Sequence, residues 1–265
     1  MSEDSTALRA EERSEADKHD VLYRGPEFQR PLMNESAWTR FDQSQPVLDP
    51  YIGSMVRLGP VAGLRVLDAG CGDGWLSIIL AKRGAFVEGF DISTEGVRVA
   101  QRRAEANGVA HQCRFSVASF YEIPLAAESV DAVMGQSILH HLGHKARAAD
   151  ELFRVMKPGA RAVFAEPFGN SLWFERLRLF VPVSSGAPED PGEWARQFKY
   201  SDIEPFKEKF DVELEEFQLL SRLDRIVSWQ PFTRAVGRLD RWLLKHVHFL
   251  RPYGRAAVIE LRRPA

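Results

Sequence analysis

Cys71 and Cys113 are the only thiols in this 265-residue chain. They have no C-x-x-C spacing and no neighbouring histidine cluster. That excludes a disulfide framework, suggests no metal site, and suits a reducing cytoplasm. No apolar run reaches the roughly 18 residues of a membrane span. The opening stretch, MSEDSTALRAEERSEADKHD, is charged throughout and lacks the apolar segment of a secretory leader. A charge excess is missing too. With 35 basic and 37 acidic residues the formal net charge is −2, without the basic surplus that a general nucleic-acid surface carries. Internal repeats and low-complexity segments are absent.

What the chain does have is apolar mass. Hydrophobic residues make up 45% and include 17 Phe and 6 Trp, enough for a substantial core. Residues 1–18 read as a polar, mobile tail or at most a solvated helix. Residues 19–62 read as a helical N-terminal arm or lid packed on a domain formed by residues 63–265. Within that domain the pattern turns regular. The apolar run LRVLDAG is a strand, GWLSIILAKRG a helix stopped by Gly84, and AFVEGFD a strand ending at Asp91. A helix capped by Ser93 runs to Asn107-Gly108. CRFSVAS and SVDAVMGQ are strands. KARAADELFRVMKPG is a helix with Ala149, Leu152, Phe153 and Met156 on one face, ended by Pro158-Gly159, and ARAVFAEP is a fifth strand.

Strand and helix alternate through residues 64–167, so right-handed crossovers should build a doubly wound α/β sheet, parallel and covered on both faces. Beyond Pro167 the alternation breaks. Helical insertions are expected at about 168–200 and 219–254. Between and after them lie a short helix in SDIEPFKEKF and strands in DVELEEFQL and GRAAVIELRR.

A sheet of this kind binds ligands beyond the carboxyl ends of its strands, where strand order reverses. Gly70, Gly72 and Gly74 fall directly after the first strand and before a helix, so bare backbone can approach a ligand there. Asp91, at the end of the second strand, can accept hydrogen bonds from both hydroxyls of a ribose. Together they imply an adenosine-containing ligand. A dinucleotide fingerprint needs glycine at the sixth position of the loop. This loop has Trp75 there, which suits a pyrophosphate poorly and a nicotinamide oxidoreductase with it.

The segments VLDAGCGDG, VEGFDIS, SVDAVMGQSILHHL and ELFRVMKPGARAVFAEP follow one another at spacings that resemble the class I S-adenosylmethionine-dependent methyltransferase family. The resemblance covers about residues 64–167 and, weakly, the last strand. It implies a Rossmann-like sheet of seven strands with the last antiparallel. It implies that Asp68 and the loop Gly70, Cys71, Gly72 and Gly74 face the methionine part of S-adenosylmethionine, that Asp91 holds the ribose, and that Ile92 flanks the adenine. One departure stands out. The acidic residue that many relatives carry after the third strand is Ser119 here, beside the Phe120 backbone N–H.

In-line methyl transfer needs an aligned acceptor, exclusion of water and, for a hydroxyl or protonated amine, a base. Gln136, at the carboxyl end of the fourth strand, is counted among the cofactor contacts. His140, His141 and Glu166 are the catalytic candidates. Two added segments offer residues for acceptor selectivity: His19, Tyr23, Arg24, Trp38, Arg40 and Tyr51 of the arm, and Arg222, Arg225, Trp229, Arg234, Arg238, Arg241 and Tyr253 of the second insertion. For that insertion the favoured reading is a solvated helical face with Trp242, Leu243 and Val247 on its packed side, and arginines that clamp a carboxylate or phosphate are the alternative.

No Asn-Pro-Pro-Tyr motif, no Pro-Cys nucleophile and no acidic cluster of a magnesium-dependent catechol site is present. The expected partner is therefore a small metabolite rather than nucleic acid. Two other readings remain open at this point: S-adenosylmethionine used without methyl transfer, by intramolecular cyclisation or donation of another carbon group, and a non-catalytic binding protein.

Overall fold

The computed structural model describes residues 3–30, 50–169, 197–220 and 230–265. Seven strands form one sheet: β1 (Arg65–Ala69), β2 (Phe86–Asp91), β3 (Cys113–Val117), β4 (Val130–Gln136), β5 (Met156–Pro167), β6 (Asp211–Phe217) and β7 (Ala256–Arg262). Their order is β3-β2-β1-β4-β5-β7-β6. β1 pairs in parallel with β2 and β4, and β7 lies antiparallel between β5 and β6. The chain thus winds outward from β1 in one direction through β2 and β3, and in the other through β4 and β5. That reversal opens a crevice beyond the ends of β1 and β4.

Two layers cover the sheet because each central strand is apolar on both sides. In β1, Leu67 joins one core while its neighbour Val66 joins the other. In β5, Phe164 lies in the first core and Val163 in the second, with both fully buried. Such runs mark strands covered on both faces. α2 (Pro50–Leu58), α3 (Trp75–Lys82) and α4 (Thr94–Ala106) follow α1 (Glu3–Tyr23) in chain order. Met55 and Leu58 of α2 join Leu76 and Ile79 of α3 in the second core. Arg57 of α2 ties that helix to β6 and β7 through Glu213 at 3.1 Å, Glu215 at 3.0 Å and Glu260 at 3.5 Å.

Ser93 caps α4, accepting from the Gly96 N–H at 2.9 Å, and Asn107 closes it. α5 (Lys145–Val155) is shorter than the sequence suggests. Lys157, Pro158 and Gly159 belong to β5, because the residue before a proline is pushed out of helical dihedrals. Ala148, Ala149, Leu152 and Val155 form its buried face, and Met156 opens the strand. The SDIEPF stretch forms a 3-10 turn, Tyr200–Ile203, and the one-turn helix Glu204–Lys207.

The largest difference from expectation is at the N-terminus. Residues read as a tail are part of one long helix, α1 (Glu3–Tyr23), which crosses the expected boundary at residue 18. It packs against α4 and across the carboxyl edge of the sheet. Its anchors are mostly polar, with Leu8 the buried apolar one, so no apolar stripe announced it.

In the C-terminal part, the helix Gln230–His246 packs through Val236, Asp240 and Leu244, while Trp242 is 55% exposed. Asp240 fixes it by accepting from the Leu219 and Leu220 N–H groups. These residues recur every fourth position, in a register that contains none of Trp242, Leu243 and Val247. The bulk of the 168–200 insertion, with the arm residues Trp38 and Arg40 and the insertion residues Arg222, Arg225 and Trp229, lies outside the described residues. So does the side chain of Arg234. No described helix is long and apolar enough to cross a membrane.

Candidate functional site

At the reversal of strand order lies a cavity of about 460 Å³, within the usual range for a small-molecule site. Three walls meet around it. The strand ends supply Gly70, Phe90, Asp91 and Ile92. The loops after β3 and β4 supply Ala118, Phe120, Tyr121, Gln136, Ser137, Ile138, His140 and His141. α1 forms the roof with Leu8, Glu11, Glu12, Glu15, His19 and Tyr23. Pro167, Gln197 and Arg255 close the far side.

Asp91 is 8% exposed at the cavity wall. One carboxylate oxygen accepts from the Gly72 N–H at 2.9 Å, the other from the Ser93 N–H at 2.8 Å. These bonds fix the plane of the carboxylate and leave further lone pairs on each oxygen. Apolar Phe90, Ile92, Ala118 and Phe120 flank it, with Phe90 and Phe120 in edge-to-face contact at 5.7 Å.

The expected site residues divide into two groups. Gly70, Asp91, Ile92, Phe120, Gln136, His140 and His141 line the cavity. Asp68, Cys71, Gly72, Gly74, Ser119 and Glu166 do not, and each has a structural occupation instead. The Asp68 carboxylate accepts from the Ser77 hydroxyl of α3. Cys71 is buried, its N–H donating to Phe90 O at 2.9 Å, and burial pushes its thiol up. Gly72, at φ +48°, is covered by the Tyr23 hydroxyl, which a Cβ there would strike. Gly74, at φ +77°, lets α3 approach α4, since a Cβ would sit 2.7 Å from that of Ala100. Asp73 forms an ion pair with Arg103 of α4.

Ser119 donates its hydroxyl to Glu12 of α1 and accepts from the Tyr121 N–H. A carboxylate of the roof thus stands beside Ser119, the position where an acidic residue is absent. Asp20 of the same helix accepts from the Ser93 hydroxyl at 2.6 Å and the Glu95 N–H at 3.0 Å, docking α1 on the N-terminus of α4.

Glu166 is 2% exposed and holds the loop after β4. It accepts from the N–H groups of Ile138 at 3.0 Å, Leu139 at 2.9 Å and His140 at 3.3 Å, and meets His140 Nδ1 at 2.7 Å. All of these contacts are to the loop after β4, and Glu166 itself does not line the cavity. Before this loop Ser137 adopts φ +54°, a left-handed conformation uncommon for serine, at the cavity wall. Both polar atoms of the Gln136 side-chain amide are buried with no hydrogen-bond partner among the described residues. Burial holds the His141 imidazole below the ordinary histidine value; Glu15 opposes this and His140 adds to it. His141 Nδ1 lies 2.8 Å from Glu15.

Of the arm candidates, His19 and Tyr23 reach the cavity, Arg24 faces Glu95, and the Tyr51 hydroxyl stands 3.2 Å from that of Ser137. Arg238 and Arg241 are exposed and, like Tyr253, lie away from the cavity. Arg255, which sequence reasoning did not single out, is at the wall.

Burial raises Asp68 to about 7, with Ser77 opposing and the Asp91 and Asp73 charges adding. A carboxyl raised on folding costs stability when it ionises, so this cost is absent below about pH 4 and complete above about pH 7. Denaturant unfolding at pH 5 and pH 8 should show a larger loss toward pH 8 in the parent than in Asp68→Asn. Equal losses would remove Asp68 as the source.

The family model for a methyltransferase domain matches residues 66–159. An O-methyltransferase of Aspergillus nomiae, rstn1, is 32% identical over 113 residues, covering 42% of this chain and 50% of that protein. The ubiquinone biosynthesis O-methyltransferase of Paracidovorax citrulli is 37% identical over 155 residues, 57% of this chain and 64% of that protein. The chain thus spans about half to two thirds of the length of these relatives. Among solved structures, an S-adenosylmethionine-dependent methyltransferase from Mesorhizobium loti superimposes with a TM-score of 0.57 at 19% identity, over 84% of this chain and all of the other.

Proposed function

We propose, from the premise that residues 66–159 are a class I S-adenosylmethionine-dependent methyltransferase domain, that this protein methylates an oxygen or nitrogen of a small metabolite. The observation that carries the reading is the cavity at the reversal of strand order, with the fixed Asp91 carboxylate at one side and the unpartnered Gln136 amide at another. A buried amide without a partner costs free energy, so its place at a cavity wall fits a polar ligand that completes it. Both curated relatives described above are named O-methyltransferases, which favours oxygen.

Asp91 would take the ribose hydroxyls, Phe90, Ile92, Ala118 and Phe120 the adenine, and Gln136 with Gly70 the amino-acid end. When bound, S-adenosylmethionine supplies an activated methyl group on a sulfonium. The chain's task is then to align the acceptor, exclude water and remove a proton. His140 suits the last role. With Nδ1–H donated to Glu166, its Nε2 keeps the lone pair. α1 excludes water from above. The free thiols Cys71 and Cys113 suit a cytoplasmic enzyme.

The test is turnover with methyl-labelled cofactor and a metabolite extract. Labelled product and S-adenosylhomocysteine should appear in equal amounts. Methylthioadenosine as the by-product would replace methyl transfer by cyclisation or transfer of another group. Tight binding without any turnover would make this a binding protein.

Glu12 belongs to the same reading, as the acceptor for the adenine amino group in place of an acidic residue after β3. Glu12→Ala should weaken cofactor binding by about 1 kcal/mol, roughly fivefold. Adding Ser119→Asp to that variant should restore most of the loss. Calorimetry showing no loss, or no recovery, would remove Glu12 from the adenine pocket.

A further inference from the structure

We propose that Glu15, His19 and His141 form a divalent metal site in the cavity roof, with an open coordination position for the acceptor's oxygen. The geometry stands by itself; the role of the bound oxygen rests on the methyltransferase reading above.

Glu15 and His19 are four residues apart on α1, so both project from one face of the helix. His141 comes from the opposite wall, on the turn Leu139–His141. Glu15 Oε1 lies 2.8 Å from His141 Nδ1 and 3.6 Å from His19 Nε2. One ligating atom from each of the three falls within 4.8 Å of the others. Zinc bound to imidazole nitrogen or carboxylate oxygen at about 2.0–2.2 Å needs donors roughly 3–3.6 Å apart, so small side-chain adjustments suffice.

The donor set is chemically apt. Two imidazoles and one carboxylate suit zinc, iron or cobalt rather than magnesium or calcium. Three protein ligands leave at least one position for water or substrate, as catalytic sites do and structural ones do not. All three side chains are partly buried at the cavity, where a ligand can reach them. Glu11 and Glu12, also at the wall, add negative field that favours a cation.

A divalent ion there would have two effects. It would clamp α1 to the loop after β4, since its ligands come from both. It would also take an acceptor hydroxyl into its open position and lower that hydroxyl's pKa, which eases transfer of the proton to His140. The resulting metal-bound oxygen anion is the nucleophile that the reaction requires.

The test uses the full chain without a polyhistidine tag, stripped by chelator and dialysed against Zn²⁺ or Co²⁺. One equivalent should remain bound. The Co²⁺ form should show visible ligand-field bands of a four- or five-coordinate site, and metal should raise the thermal midpoint. His19→Ala and Glu15→Gln should each weaken Co²⁺ binding at least tenfold and abolish the bands. Both positions lie on the roof helix rather than in the sheet, and circular dichroism verifies that the variants fold. His141→Ala is the third variant. Absence of stoichiometric metal, or the same affinity and bands in His19→Ala and Glu15→Gln, would overturn the site and leave a hydrogen-bonded latch. Calorimetry of S-adenosylmethionine on the stripped protein, read separately, distinguishes failure of the metal site from failure of the methyltransferase reading.

Discussion

Asp91→Ala is expected to weaken S-adenosylmethionine binding by about 1–3 kcal/mol, a fall of roughly fivefold to 150-fold in affinity. The loss has two sources. The first is the removal of a charged acceptor from the ribose hydroxyls. The second is the release of the loop between β1 and α3, because Asp91 holds the Gly72 N–H at 2.9 Å and the Ser93 N–H at 2.8 Å. Asp91→Asn separates them poorly. One face of an asparagine amide can accept only one of those two N–H groups, and its NH₂ opposes the other. Asp91→Asn should therefore lose nearly as much as Asp91→Ala despite its shape. Titration calorimetry gives the affinity and thermal unfolding the structural share. An unchanged dissociation constant in Asp91→Ala would take the carboxylate out of the binding site.

Asp91 was legible in the sequence because its position is defined by two strong local patterns, an apolar run before it and a capped helix after it. The Ser93 cap, the parallel strands and the final strand were accessible for similar reasons: period, punctuation and length are local signals, whereas the antiparallel direction of that last strand was implied only by the family resemblance. The roof was not. α1 is anchored by Glu12, Glu15 and Asp20 through polar contacts to residues distant in the chain, and by Tyr23 packed over Gly72 and Gly96. A helix that docks with its charged face reads as a solvated one, and its partners are visible only when the fold assembles them.

The same blindness explains Ser119, where a missing carboxylate after β3 was visible but the Glu12 carboxylate that meets it, 107 residues earlier, was not. Trp242 misled in the opposite direction. A large aromatic residue suggests a packed face, yet the packing positions of that helix are set by the spacing of Val236, Asp240 and Leu244. For the glycine loop, the turn chemistry was readable. The covering of Gly72 by Tyr23 was not, because it depends on where α1 lands.

Glu166 shows how position and role part company, and its substitution should have the largest effect on stability. The sequence places it at the end of the fifth strand, where a catalytic carboxylate could stand. The structure engages it with three backbone N–H groups and one imidazole. Glu166→Ala leaves those donors without an acceptor at a buried position. Each unsatisfied group costs about 1–3 kcal/mol, and water entering from the adjoining cavity recovers part of it, so a net loss of about 3–5 kcal/mol is expected. For a chain of this size that is a fall in thermal midpoint on the order of 10 °C.

Glu166→Gln should fold closer to the parent, since its carbonyl can still accept from Ile138 and Leu139. Its NH₂, however, faces His140, and the imidazole must then accept at Nδ1 and carry its proton on Nε2. That tautomer cannot take a proton from an acceptor. Turnover, followed as S-adenosylhomocysteine release, should therefore fall at least tenfold in kcat while cofactor affinity stays within a factor of two. If Glu166→Gln kept full turnover, His140 would not be the base. If Glu166→Ala unfolded at the parent temperature, the loop after β4 would be held by something other than this carboxylate.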